Sequence, residues 1–317
     1  MTQIDKSRFE WIGSDSARRE GISRPSTTFW KDAIGRLMKN KVAVVCFFIL
    51  VLLILSCIVV PFFSPFESRE QHLGEVNKGF MTVCTDSRYE GQHHVHYFGT
   101  DNLGRDLFLR AFEGGRVSLM IAFAAVFVNL IVGLIYGGIS GYIGGAVDTI
   151  MMRIVEIVNG IPYLIVVILL MMVLPKGIFT MVVAYGITGW TGMARLVRGQ
   201  VLQLKSQEYI VAAEAMGAKS SRIIAKHLIP NALSVIIINV TLAIPSAIFT
   251  EAFLSYIGLG VPVPQPSWGV LAKGGQDVFM TYPYQLVVPA VAISLTMLSF
   301  NLLGDGLRDA FDPRLRR

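Results

Sequence analysis

Residues able to ligate a metal or attack a bond are few in this chain. His93, His94 and His96 stand together in the run QHHVH, and imidazoles at that density suit a transition metal. No neighbouring acid or thiol completes a ligand set, so a solvated loop is the competing reading, and no metal is expected. The three thiols, Cys46, Cys57 and Cys84, have neither zinc-type spacing nor a disulfide framework. Gly217-Ala218-Lys219-Ser220 imitates the end of a phosphate-binding loop, but its glycine and lysine are not adjacent and no cradling loop precedes them. The chain is therefore expected to bind no ATP itself. G-x-S-x-G and H-E-x-x-H are both missing, which argues against hydrolase chemistry.

The elements that would carry these residues are membrane spans. Hydrophobic residues make up 53% and charged residues 16%, with mean hydropathy +0.56; this is too apolar for a soluble chain. The block 42–60 (VAVVCFFILVLLILSCIVV) has no charge and reads as a spanning helix. It follows a long polar segment and precedes no small-residue cleavage site, so it is expected to remain in the mature protein. Five more spans are expected at 117–137, 147–174, 178–197, 229–249 and 285–303. In the second of these five, Arg153, Glu156, Asn159, Gly160 and Pro162 predict a start among the headgroups and a kink.

Charge gives the orientation. Twenty of the 28 Lys and Arg residues fall before the first span, around Arg153, between Arg195 and Lys226, or after Leu303, which places these segments and both termini in the cytoplasm. Loop 64–115, with eight acids against five bases, is expected outside. The net charge of +6 and pI near 9.3 thus describe topology, and no nucleic-acid partner is expected. The organisation read here is a basic segment 1–41, a first helix 42–60, an external loop 61–116, a five-helix core 117–305 containing the cytoplasmic loop 198–230, and a tail 306–317.

Segment 195–231 is the most informative. Residues 209–216 read as a helix, Gly217 as its left-handed terminus, Ser220 as the cap of a second helix, and Pro230 as the start of the next span. Small Ala212 and Ala213 would let a partner approach the backbone, ringed by Lys219, Arg222 and Lys226. An amphipathic loop lying on headgroups is the competing reading. Within the spans, Gly133, Gly137, Gly141 and Gly145 repeat every fourth residue and predict close helix packing. Asn129 and Asn239 are expected to hydrogen-bond between helices or line a pore. Glu251 is expected to face a cavity or the water boundary, as a gate, and Pro245 and Pro289 suggest kinks.

The stretch 211–230 resembles the EAA loop of ABC-importer permeases: Glu-Ala-Ala, three residues, Gly, nine residues, Ile-x-Leu-Pro. Ala212, Ala213, Gly217 and Pro230 match, while Val211, His227 and Ile229 depart from it. HYFGTDNLGRDLFLRAFEGGRVSL (96–119), EAFLSYIGLGVPVPQPSWG (251–269) and NLLGDGLRDAFDPRLR (301–316) resemble the dipeptide/oligopeptide/nickel branch, and FWKDAIGRLMKNK (29–41) its C-type subunit. This implies an all-α polytopic subunit of a bacterial inner membrane. Ala212, Ala213, Glu214, Gly217, Ala218, Lys219, Arg222, His227 and Pro230 would dock on an ATPase that binds the ATP. Gly99, Thr100, Asp101, Gly104, Arg105 and Asp106 form the branch motif, facing either a substrate-binding protein or the partner permease. The implied partners are a second, B-type permease, two ATPases, a binding protein and the lipid; the implied cargo is peptide, or a nickel chelate. A secondary transporter or channel would need intramembrane ion ligands, which are nearly absent.

Overall fold

The computed structural model describes residues 29–85 and 94–312; His93 lies outside the described residues. Twelve helices follow one another: α1 Phe29–Lys39, α2 Lys41–Phe63, α3 Leu107–Ile143, α4 Gly145–Asn159, α5 Tyr163–Val173, α6 Ile178–Thr188, α7 Trp190–Lys205, α8 Glu208–Ala215, α9 Ser220–Ile223, α10 Ile229–Tyr256, α11 Trp268–Asp277 and α12 Tyr284–Phe311. Between α2 and α3 lie one 3₁₀ turn, Leu73–Glu75, and two short strands, β1 Thr82–Val83 and β2 Val95–His96, which pair antiparallel with Thr82 opposite His96. Side chains set the helix starts. Asn40 caps α2 by accepting from Ala43 N at 3.2 Å, and Asp106 caps α3 by accepting from Leu109 N at 2.7 Å.

Four helices (α2, α3, α10 with the turn before it, and α12) are long and apolar enough to cross a membrane. Together α4 and α5 are also long and apolar enough to count as a fifth, as a broken span or a re-entrant loop, bent by 77° at Gly160-Ile161-Pro162. The kink expected there is present, because Pro162 lacks the N–H that would continue α4. The remaining expected span, 178–197, is α6 plus the first half of α7, interrupted at Gly189.

Helix lengths depart from the hydropathy blocks. α3 begins ten residues before position 117, and its 37 residues extend about 55 Å at 1.5 Å per residue, well beyond a hydrocarbon core of about 30 Å. It stands at the centre. The glycine ladder lets α7 close on it: a Cβ at Gly137 would lie 2.3 Å from the Ala194 carbonyl oxygen, and one at Gly133 would lie 2.5 Å from Met193 Cβ. Gly145 does not belong to this face, because α3 ends at Ile143 and Gly145 opens α4. A second core joins α2, α3, α10, α11 and α12 through Leu50, Cys57, Leu119, Ile248, Trp268 and Phe300. Phe47, Phe48, Leu52 and Leu55 of α2 remain exposed, the outward apolar face expected of a lipid-facing helix.

Candidate functional site

The helices sort the chain into two ends. At one end, α8 and α9 are joined by a turn at Gly217, whose φ is +75°. Ala218 N–H returns to the Ala213 carbonyl at 3.1 Å and Gly217 N–H to that of Glu214 at 2.9 Å, closing α8 in the left-handed manner that glycine permits. Ser220 is the first residue of α9 and supplies no side-chain cap; Lys219 occupies the cap position. Pro230 stands in the first turn of α10, the place expected for it. Its missing N–H is accommodated by a π turn over Ile224–Leu228, where Ile229 N–H bonds the Ile224 carbonyl, so α9 runs unbroken into α10.

This element is seated on the protein by one face. Ile210, Ile223 and Leu228 are buried in a cluster with Met193, Val197 and Val201 of α7 and Ala232 and Ile236 of α10. Ala213 also turns inward, 7% exposed, which corrects its expected place on the docking surface. The outward face consists of Tyr209, Val211, Ala212, Met216 and Gly217, rimmed by Lys219 and Arg222. Glu214 accepts from the Tyr142 hydroxyl at 3.0 Å, and Lys205 Nζ donates to the Tyr142 carbonyl at 2.5 Å, tying α8 and α7 to the last turn of α3. His227 is half-buried, and its carbonyl accepts from Asn231 Nδ2 at 2.6 Å.

Beside Pro230 opens a cleft of about 820 Å³. Gln200, Asn231, Ser234 and Asn239 give it polar groups, while Trp30 of α1 and Arg308 and Asp312 at the end of α12 close its rim. The first described helix and the end of the last thus lie beside the start of α10. Asn239 lines the cleft, as a pore residue would. Asn129 does not join it: its amide packs against Gly189, and Oδ1 makes no hydrogen bond to another helix.

Glu251 corrects another expectation. It is fully buried, not set at a cavity or water boundary, because α11 folds back over it. Ser255 Oγ donates to Glu251 Oε1 at 2.7 Å, and the hydroxyls of Ser118 and Ser267 also face the carboxyl. Ser118 Oγ accepts from Trp268 N at 3.2 Å, and the Trp268 indole donates to the Ala111 carbonyl at 2.9 Å. Ser118, Ser255, Ser267 and Trp268 were not singled out from sequence, although all lie in the quoted motif stretches.

At the opposite end the branch motif folds the first loop onto α3 and α12. Asp101 accepts from Leu103 N at 2.9 Å, Arg105 N at 3.0 Å and Arg105 Nε at 2.7 Å. Thr100 Oγ1 donates to the Glu75 carbonyl at 2.5 Å, and Tyr284 of α12 donates to the carbonyls of Lys78 and Thr100. Gly104, with φ +71°, would place a Cβ 2.0 Å from the His72 carbonyl oxygen, and Gly99 one 2.2 Å from that of Lys78. Thr100, Asp101, Arg105 and Asp106 are buried, so these side chains hold the loop together and do not offer themselves to another protein.

His96 is also buried here. Nδ1 lies 2.7 Å from Asp106 Oδ2 and Nε2 3.0 Å from Glu75 Oε2, and Cys84 Sγ donates to the same Glu75 oxygen at 3.2 Å. The acid and thiol lacking beside the histidines in sequence are therefore delivered by the fold. Burial opposes ionisation of Glu75, yet hydrogen bonds from Thr85, His96 and Cys84 hold its carboxyl below the usual range. Burial likewise opposes protonation of His96, but its hydrogen bonds to Asp106 and Glu75 raise its basicity.

Long apolar helices around an exposed helix–glycine–helix are the frame of a polytopic α-helical membrane protein. The chain belongs to the family of binding-protein-dependent transport system inner membrane components, which matches residues 129–317; residues 28–79 match the N-terminal TM domain of oligopeptide transport permease C. Within it the chain is an ABC-importer permease of the C type. It is 48% identical over 317 residues, all of both chains, to the oligopeptide transport system permease protein OppC of Bacillus subtilis (strain 168). It is 48% identical to that organism's dipeptide transport system permease protein DppC, covering 94% of this chain and 90% of that one. OppC of Escherichia coli (strain K12) is 42% identical over 99% of both. A chain of the MetNI methionine ABC transporter, solved in inward-facing conformations, shares the fold with TM-score 0.51 and 20% identity, covering 63% of this chain and 94% of that one. An ABC-importer permease works with a partner permease, ATPase subunits and a substrate-binding protein.

Proposed function

We propose that this chain, paired with a B-type permease, forms the translocation path of a dipeptide or oligopeptide importer, powered by two ATPases that dock on α8 and the Gly217 turn. The observation that carries this reading is the seating of that turn: its inner face belongs to one apolar cluster with α7 and α10, so displacement by a docked protein reaches two long helices without slack. The apolar outer face is wide enough for close contact, and its Lys219–Arg222 rim adds charge. The peptide cargo is supported by the names of the relatives, and the cleft beside Asn239 supplies amide groups suited to a peptide backbone. ATP is bound and hydrolysed on the partner subunits, this chain being no enzyme. The α8–α9 end faces the cytoplasm and the first loop faces outward.

The test is reconstitution of the full importer in proteoliposomes. ATP-dependent uptake of a labelled tripeptide is expected with the unaltered chain and not with Ala212→Glu, whose fold should be intact. Undiminished uptake by Ala212→Glu would remove the docking role. Uptake of a nickel chelate without peptide uptake would remove the proposed cargo.

A further inference from the structure

We propose that Glu75, Cys84 and His96 form a binding site for one zinc-like divalent transition-metal ion, which clips the first loop onto α3. Carboxylate, thiolate and imidazole make a mixed O, S, N set of the kind that zinc accepts. The three ligand atoms lie within 4.8 Å of one another, with Nε2 and Sγ at 3.0 and 3.2 Å from the same Glu75 oxygen. Ligand atoms around a tetrahedral zinc stand roughly 3.3–3.8 Å apart. The two separations from the Glu75 oxygen thus need to widen by only a few tenths of an ångström, and water takes the fourth place. Neighbouring His72 directs Nε2 toward Glu70, at 3.7 Å, and is not part of the set.

The supporting groups are already those of a metal centre. Asp106 Oδ2 takes the Nδ1 proton of His96, which fixes the tautomer so that Nε2 points at the site, as carboxylates behind metal-bound histidines do. The backbone N–H and hydroxyl of Thr85 hold the other Glu75 oxygen, leaving Oε2 aimed inward. Phe66 stacks on His96, with ring centroids 4.4 Å apart, and shields it. Glu75, Cys84, His96 and Asp106 are all at most 8% exposed.

A divalent ion would replace the hydrogen bonds that now join Nε2 of His96 and the Cys84 sulfur to one Glu75 oxygen. The three ligands come from the 3₁₀ turn, the end of β1 and β2, while Asp106 begins α3. An ion would thus cross-link a loop whose buried apolar cluster with α3, among the described residues, is Phe66, Cys84 and Leu109.

The experiment uses the full-length chain in detergent, stripped with chelator and titrated with Co²⁺. One ion per chain, a thiolate-to-cobalt charge-transfer band and displacement by Zn²⁺ are expected. Cys84→Ser keeps a hydroxyl donor toward Glu75 and so preserves a purely hydrogen-bonded cluster, but it should abolish the band. Asp106→Asn keeps a cap for α3 and should weaken binding by about 10–100-fold, with the band still reached at high Co²⁺. No band in the unaltered chain, or a band that survives Cys84→Ser, overturns the site.

Discussion

At single residues the strongest constraints are steric. Gly104 combines φ +71° with a Cβ position 2.0 Å from backbone oxygen, so Gly104→Ala should cost about 1–3 kcal/mol. Faster limited proteolysis of the first loop would report it, and an unchanged rate would show the hub to be softer than its geometry implies. Ala212 and Ala213 form an opposed pair: Ala212→Glu changes an exposed position, whereas Ala213→Glu forces a carboxylate into a site only 7% exposed. Thermal melting in detergent should therefore fall for Ala213→Glu and hold for Ala212→Glu. This difference was not legible in sequence, because the two alanines are adjacent and only the position of α7 decides which faces inward. Glu251 was hidden similarly, since its serine partners Ser118 and Ser267 come from two other segments. Gly217 was legible because a left-handed terminus has a local signature.

At the scale of elements, patterns of small residues were readable and continuity was not. The repeat Gly133, Gly137, Gly141 announced a close helix contact, and α7 occupies it. Gly137→Val would push Val197 and the Ala194 carbonyl away, at roughly 1–3 kcal/mol; a lower melting temperature is expected, and no change would mean that α3 and α7 can part freely. Pro230 does fall in the first turn of α10, but the π turn that joins α9 to it has no signature in the sequence. Gly217→Pro is a sharper probe, since it removes the N–H bonded to Glu214 and cannot adopt φ +75°. Membrane insertion should survive while ATP hydrolysis no longer drives uptake; retained uptake would show that the turn transmits nothing.

Across the whole molecule, hydropathy identified the apolar blocks but not where the helices stop, because outside the lipid a helix is prolonged by caps and packing instead of by apolar composition. Thus α3 starts at the Asp106 cap within the supposed loop, and α12 continues to Phe311, where Trp30 meets it edge-on at 5.7 Å. Sidedness is open to a direct check, since the three native thiols are buried. In right-side-out vesicles an impermeant maleimide should label Tyr97→Cys at once and Lys219→Cys only after lysis; equal labelling of both would invert or abolish the proposed orientation.

The length of α3 has a thermodynamic corollary. Its first residue follows the Asp106 knot, and its last turn carries Tyr142, the hydroxyl of which is held by Glu214 beside the Gly217 turn. One stiff rod therefore joins the buried outer knot to the α8 turn. If a ligand at the outer knot favours one tilt of that rod by some free energy, a protein gripping α8 favours or opposes that ligand by the same amount, because linkage between sites is reciprocal. Occupancy of the outer knot and nucleotide-driven motion at α8 would then be two readings of one equilibrium.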